Sequence, residues 1–175
     1  MPEIALKNAT LRHWRMDDVQ DLARFANNRA VWRNVRDLFP HPYTLDHAHQ
    51  YLTVVTQQKP QSCFAIEVDG QAGGSISLKL GSDVNRLSAE IGYWLGEPFW
   101  GRGIVSEAVN AMVQYGFHEL GLVRIYAEVF AWNPASMKVL EKAGFKLEGI
   151  MRDSALKDGQ LIDQYLYARI KKQEP

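Results

Sequence analysis

The sequence has little cysteine, no surplus of either charge and no long apolar run, and each shortage narrows what the chain can be. Cys63 is the single cysteine of 175 residues, so no internal disulfide framework exists and a reducing compartment is expected. Lys plus Arg equal Asp plus Glu at 20 each, so no global field draws the chain to nucleic acid or anionic lipid. No apolar stretch approaches the roughly 20 residues of a membrane helix. The start, Met1-Pro2-Glu3-Ile4-Ala5-Leu6-Lys7, lacks the apolar core of a signal peptide. Among His13, His41, His47, His49 and His118 the only close pair is His47-x-His49, which a helix turns to different faces, so no metal is expected. What remains is an ordinary globular composition, 46% hydrophobic and 23% charged, with enough length for a real core. The expectation is a cytoplasmic chain with residues 1–175 forming a single domain. No nucleic-acid or membrane partner is expected, and the oligomeric state, monomer or homodimer, is left open.

The most informative stretch is Ser88 to His118. Ala89, Ile91, Tyr93 and Leu95 alternate with Glu90, Gly92 and Trp94, which predicts a strand. Val105, Ala108, Val109, Met112, Gly116 and Phe117 then recur at helical spacing. Between them lies Trp100-Gly101-Arg102-Gly103. A strand that turns through glycines into a helix N-terminus gathers backbone N–H groups, the positive end of the helix dipole and room for close approach, all of which suit a phosphate. Arg102 adds a full charge in fork geometry. The turn lacks the third glycine of a dinucleotide fingerprint, and no Gly-Lys-Ser/Thr closes it as an NTPase loop.

Around this stretch the chain alternates helices and strands. Thr10–Trp14 predicts a short strand, and Asp17 an N-cap for a helix carrying Val19, Leu22, Ala23 and Ala26. The boundaries within Arg29–Arg36 are open. Phe39-Pro40-His41-Pro42-Tyr43 is stiff, and Thr44 caps a helix with Leu45, Ala48, Leu52 and Val55 on its apolar face. Cys63–Val68 and Gly74–Leu80 form a hairpin about Asp69-Gly70. Gly81–Arg86 is a loop, and Gly121 stops the long helix. Leu122–Val129 is a strand, Asn133-Pro134-Ala135-Ser136 opens a short helix, and Phe145–Met151 pairs with Leu161–Ile170 near Asp158-Gly159. The sum is an α/β domain.

Three ordered motifs carry a resemblance: Ala89-Glu90-Ile91-Gly92-Tyr93-Trp94-Leu95, Trp100 to Ala108, and Asn133-x-x-Ser136 with Glu141-Lys142-Ala143-Gly144-Phe145. Together they resemble the GNAT superfamily of acetyl-coenzyme A-dependent N-acetyltransferases, most closely its RimJ/RimL type of ribosomal-protein N-terminal acetyltransferase. The resemblance implies an α/β (α+β) fold with a central mixed, mostly antiparallel sheet, splayed at the cofactor site and flanked by about four helices. It implies acetyl transfer to a primary amine, on a protein N-terminus or a small molecule. It also implies that Trp100, Gly101, Arg102, Gly103, Ile104, Val105 and Ser106 surround the coenzyme A diphosphate. Trp94 and Leu95 would pair their backbone with the pantetheine arm, and Asn133 would hold the pantetheine or the reacting end. Trp100 and Val105 depart from the family's loop pattern, which places a polar residue first and a glycine or alanine last.

Catalytic roles stay divided. Glu90 is the carboxylate suited to act as base, or else partners an arginine such as Arg124. Ser136 is the proton donor for the leaving thiolate, or a hydroxyl satisfying a helix end, and a water is a third source. Asn133 either holds the cofactor or forms an Asx turn. Leu140 stands where many relatives place a tyrosine acid. His41 and Tyr43, with Arg33 and Arg36 nearby, would line the acceptor side, or belong to a connector with no substrate role. A coenzyme A-binding sensor or partner subunit without catalysis is the rival reading.

Overall fold

The computed structural model describes residues 3–172. Among these residues five α-helices and eight strands follow in chain order. They are β1 (Ile4–Ala5), β2 (Thr10–Arg12), α1 (Val19–Ala26), α2 (Arg29–Trp32), α3 (Leu45–Val55), β3 (Cys63–Val68) and β4 (Gln71–Leu80). After them come β5 (Ser88–Leu95), α4 (Ile104–His118), β6 (Arg124–Phe130), α5 (Pro134–Lys142), β7 (Lys146–Lys157) and β8 (Gln160–Ile170). The strands form one sheet in the order β1-β2-β3-β4-β5-β6-β8-β7. β5 and β6 are parallel, and the other pairs with a determined register are antiparallel. The mixed, mostly antiparallel sheet agrees with expectation, and α2 is the helix beyond the expected four. Its four residues sit in the basic stretch whose boundaries were open, and Asn28 starts it by accepting from the N–H groups of Ala30 and Val31.

Contacts divide the chain into two compact units, Met1–Ser77 with Tyr93–Ala108, and Leu78–Gly92 with Val109–Pro175. In the first, α1 and α3 cover one sheet face with a core that includes Trp14, Leu22, Ala26, Leu52, Cys63 and Ala65. Each side chain buried there contributes about 1.5–3 kcal/mol if large and apolar. Asp69 (φ 51) and Gly70 (φ 77) form a two-residue turn, so pairing resumes at once between Val68 and Gln71. That is why β4 starts at Gln71 rather than Gly74. Arg12 is buried and grips both oxygens of Asp18 at 2.8 Å, while its Nε–H donates to Glu67. Asp18 Oδ2 also accepts the Arg15 N–H at 2.8 Å. The expected cap at Asp17 is thus corrected. A short 3₁₀ turn over Met16–Asp18 precedes α1, and Asp18 is the residue that the ion pair fixes at its start.

In the second unit, β6, β8 and β7 carry the register from Arg124–Ile170 through Phe130–Gln164 and on into the β7–β8 hairpin. β7 runs past the expected Met151 to Lys157. It does so across a register shift between Met151 and Ala155, where Asp153 takes φ 46. Arg152 and the Asp153 N–H both bond Asp163, at 2.6 and 2.9 Å, which fastens the bulge to β8. Ile91, Ile125, Ala127 and Val129 are buried on one face of this half of the sheet. Glu90, Tyr126 and Glu128 alternate with them and are half-exposed.

Candidate active site

The glycine turn lies in the first unit. Gly96 N–H donates to Gly73 O at 2.7 Å and ties the end of β5 to β4. A 3₁₀ turn, Glu97–Phe99, then leads to Trp100. Gly101 and Gly103 both have φ 75, a conformation that costs L side chains about 1–2 kcal/mol. A Cβ built on either meets nothing within 4 Å, so the space before the turn is open. α4 starts at Ile104, and Glu107 N–H closes its first turn on Gly103 O at 3.2 Å. The N–H groups of Gly103, Ile104 and Val105 precede that bond, as donors at the positive end of a 15-residue helix.

Trp100, which breaks the loop pattern, has a bond that sequence reading missed. Its indole N–H donates to Leu95 O at 2.7 Å, bridging the turn back to the strand end. The Leu95 carbonyl is therefore engaged within the chain. Arg102 makes a fork on Asp69, with Nη1 at 2.8 Å from Oδ2 and Nη2 at 3.4 Å from Oδ1. The guanidinium bond holds the Asp69 carboxyl below its usual range, and the same bond raises Arg102. No signal within either motif forecasts this pair, because it joins residues 33 apart.

Phe39, Tyr43 and Trp94 build an aromatic wall in the same unit. Phe39 lies 4.9 Å from Tyr43 and 5.5 Å from Trp94, ring centre to ring centre. Tyr43 is buried, its N–H donates to Asn27 Oδ1 at 3.0 Å, and burial pushes its hydroxyl up to about 12. His41 is exposed, 5.7 Å from the Trp32 ring. His47 Nδ1 accepts the Thr44 N–H while Thr44 Oγ1 accepts the His47 N–H, so this histidine serves the cap of α3. Among the described residues no group of three His, Cys, Asp or Glu could hold a metal ion. Cys63 is buried beside the Tyr51 hydroxyl at 3.1 Å, and burial raises its thiol.

The second unit carries the remaining residues. Asn133 is the N-cap of α5, its Oδ1 accepting the Ser136 N–H at 3.3 Å, which leaves the amide Nδ2 as the donor it can offer. Ser136 is half-buried in the first turn of that helix. Leu140, one helical turn further on, is fully buried in the core. Glu90 is half-exposed in β5, opposite Tyr126 of β6. Arg124, named as its alternative partner, forms a bidentate pair with Glu148 at 2.8 and 2.6 Å, which lowers the Glu148 carboxyl. β5 and β6 pair over three residues only, Ser88–Arg124, Ala89–Ile125 and Glu90–Tyr126. The register of β5 on β6 ends at Glu90 and Tyr126.

Residues 8–146 match the family model described as an acetyltransferase (GNAT) domain. The chain belongs to the GNAT acetyltransferase family. Over 85 residues this GNAT chain is 45% identical to the uncharacterized N-acetyltransferase p20 of Bacillus licheniformis, covering 49% of this chain and 48% of that protein. It is 35% identical over 107 residues to the ribosomal-protein-serine acetyltransferase of Escherichia coli (strain K12), covering 61% and 59% respectively. The chain thus spans about half the length of the first curated relatives it matches. A crystal structure of RimL, a ribosomal alpha-N-protein acetyltransferase in complex with coenzyme A, superposes with a TM-score of 0.86. That match holds at 23% identity over 97% of this chain and 98% of the other, and it shows the GNAT fold.

Proposed function

We propose that this GNAT chain, as a single domain over residues 1–175, transfers acetyl from acetyl-coenzyme A to a primary amine by direct attack. The observation that carries the reading is the turn at Gly101 and Gly103, with two left-handed glycines, open space and helix N–H groups in one place. Gly101, Arg102, Gly103, Ile104, Val105 and Ser106 hold the diphosphate, and the Trp100 indole stiffens the turn by its bond to Leu95. The backbone of Trp94 and Leu95 takes the pantetheine arm as an added strand, and the Asn133 amide binds it from its helix cap. With the Leu95 carbonyl bonded to Trp100, the Leu95 N–H is the group that polarises the thioester carbonyl.

Glu90 accepts a proton from the acceptor ammonium. The neutral nitrogen attacks the carbonyl, the C–N bond forms and the C–S bond breaks. The Ser136 hydroxyl gives a proton to the departing sulfur and recovers one, by way of water, from the attacking nitrogen, which sheds its second proton as it becomes the amide. His41 and Tyr43 stand on the acceptor side, Tyr43 as a neutral phenol. Reference pKa values separate the acceptors. Deprotonating an α-amine at pH 7 costs about 1 kcal/mol and a lysine about 4.6 kcal/mol. Glu90 is a single half-exposed carboxylate, and it suits the easier proton. A protein N-terminus or small α-amine is therefore the acceptor class. Ribosomal-protein-serine acetyltransferase among the relatives supports the same choice. Such acceptors place the work in the cytoplasm, with no membrane or nucleic-acid partner.

The test is thiol release from acetyl-coenzyme A with a panel of amines that includes peptides with free N-termini. Glu90→Gln is expected to lower turnover and flatten its pH profile while the coenzyme A dissociation constant stays put. Cofactor binding without turnover on any amine would return the chain to the non-catalytic reading.

A further inference from the structure

We propose that Glu128 is the anchor for the acceptor's ammonium group, positioned by a relay through Gln164 and Ser154. The inference rests on the acetyltransferase reading and names the feature of the acceptor that the site selects, a positively charged aliphatic amine.

Glu128 belongs to the half-exposed face of β6. Glu90 and Tyr126 are in register, so their side chains leave the sheet on the same side, and Glu128 is two residues beyond Tyr126. The carboxylate proposed as base and Glu128 thus share one sheet face of the same compact unit, one step apart along the strands. The opposite face, with Ile125 and Val129, is buried.

The neighbouring strand supplies the relay. Gln164 is buried, with 8% of its surface exposed, and Nε2 donates to Glu128 Oε2 at 3.4 Å. Its Oε1 lies 3.1 Å from the Ser154 hydroxyl, whose single proton it shares with Met151 O at 3.0 Å. The amide thus presents its N–H to the Glu128 carboxylate, with Ser154 beside its carbonyl. A buried glutamine costs stability unless its bonds are made, so it is well placed only as long as both ends are held. Ser154 reaches it because β7 is bulged between Met151 and Ala155, and Asp163 fastens that bulge through Arg152 and the Asp153 N–H. A bulge that re-aims one side chain towards a reacting face is a common device beside active sites. Here it aims Ser154 at the amide that holds Glu128. No proton moves through the relay. Glu128 pairs with the ammonium, and Glu90 takes the proton.

The experiment measures binding as well as turnover. A tripeptide with a free N-terminus is titrated into the coenzyme A-loaded protein, with its N-acetylated form as the uncharged control. Wild type is expected to bind the free peptide and not the control. Glu128→Gln is expected to weaken it at least tenfold and raise the amine KM by the same factor, with the coenzyme A dissociation constant unchanged. Gln164→Leu should raise the amine KM about threefold to tenfold with little change in kcat, and Glu128→Asp should restore part of the loss in Glu128→Gln. If Glu128→Gln binds the peptide like wild type, or if wild type does not distinguish the peptide from its N-acetylated form, the proposal is wrong. If the binding difference stands and no acetyl is transferred, the anchor survives and the enzymatic reading fails.

Discussion

Arg102 and Asp69 face each other across 33 residues of sequence, with the guanidinium of the glycine turn forked onto a carboxylate at a hairpin tip. The positive charge in the proposed diphosphate loop therefore has a counterion of its own. An incoming diphosphate must either displace Asp69 or share the five donors of the arginine with it.

Removing that competitor should favour the cofactor. Asp69→Asn is expected to tighten coenzyme A about threefold, since the pair is exposed and such pairs are weak. Arg102→Ala should loosen it. Titration calorimetry at low and high salt would read both effects, and the advantage of Asp69→Asn should shrink as salt rises. A weaker affinity in Asp69→Asn would instead make Asp69 the residue that orients Arg102.

Gly103 combines φ 75 with open space in front of it. Gly103→Asp adds backbone strain of about 1–2 kcal/mol and a negative charge where the diphosphate is proposed to lie. Coenzyme A affinity should fall by a factor of roughly 100 or more while the protein stays folded by circular dichroism. An unchanged dissociation constant would remove the diphosphate from this turn.

Asn133 and Ser136 can be tested apart because the bond between them uses the Asn133 side chain and the Ser136 backbone. Asn133→Ala should cost about 1 kcal/mol of stability along with cofactor affinity. Ser136→Ala keeps the backbone N–H that Asn133 accepts, so thermal stability should hold while kcat drops about tenfold. Equal loss of melting temperature in both variants would assign Ser136 to the helix end alone.

Acid should loosen the bulge that positions Ser154. The Asp153 N–H and then Arg152 lower the Asp163 carboxyl, so its folded pKa lies below its unfolded value. Its contribution is complete above the ordinary aspartate range and is lost as pH falls through the folded value. Asp163→Asn should therefore flatten the decline of the urea midpoint between about pH 5 and pH 3. A decline as steep as in wild type would show that Asp163 plays no part in it.

Local chemistry was legible in the residues. Asp69-Gly70 announced its turn, Asn133-Pro134 its helix start, and the two glycines before Ile104 a tight turn with room in front of it. Register was harder to read. The bond from Trp100 to Leu95, the fork of Arg102 on Asp69 and the hold of Gln164 on Glu128 depend on which residues pairing and turns bring together, and no motif encodes that. Asp17 and Asp18 show the same limit at the scale of one residue. Either aspartate could begin a helix, and the N-cap position fell to Asp18, whose carboxylate Arg12 reaches from β2. The four-residue α2 went unseen because a run so short has no periodicity to detect.

β5 keeps its register with β6 only as far as Glu90, and that has a consequence for handling the protein as well as for chemistry. An unzipped edge is a template for any extended chain, whether the pantetheine arm or a strand from a misfolded neighbour. Cofactor occupancy should therefore act as a safeguard against aggregation, slowing the loss of protein on gentle heating by more than its effect on the melting temperature accounts for.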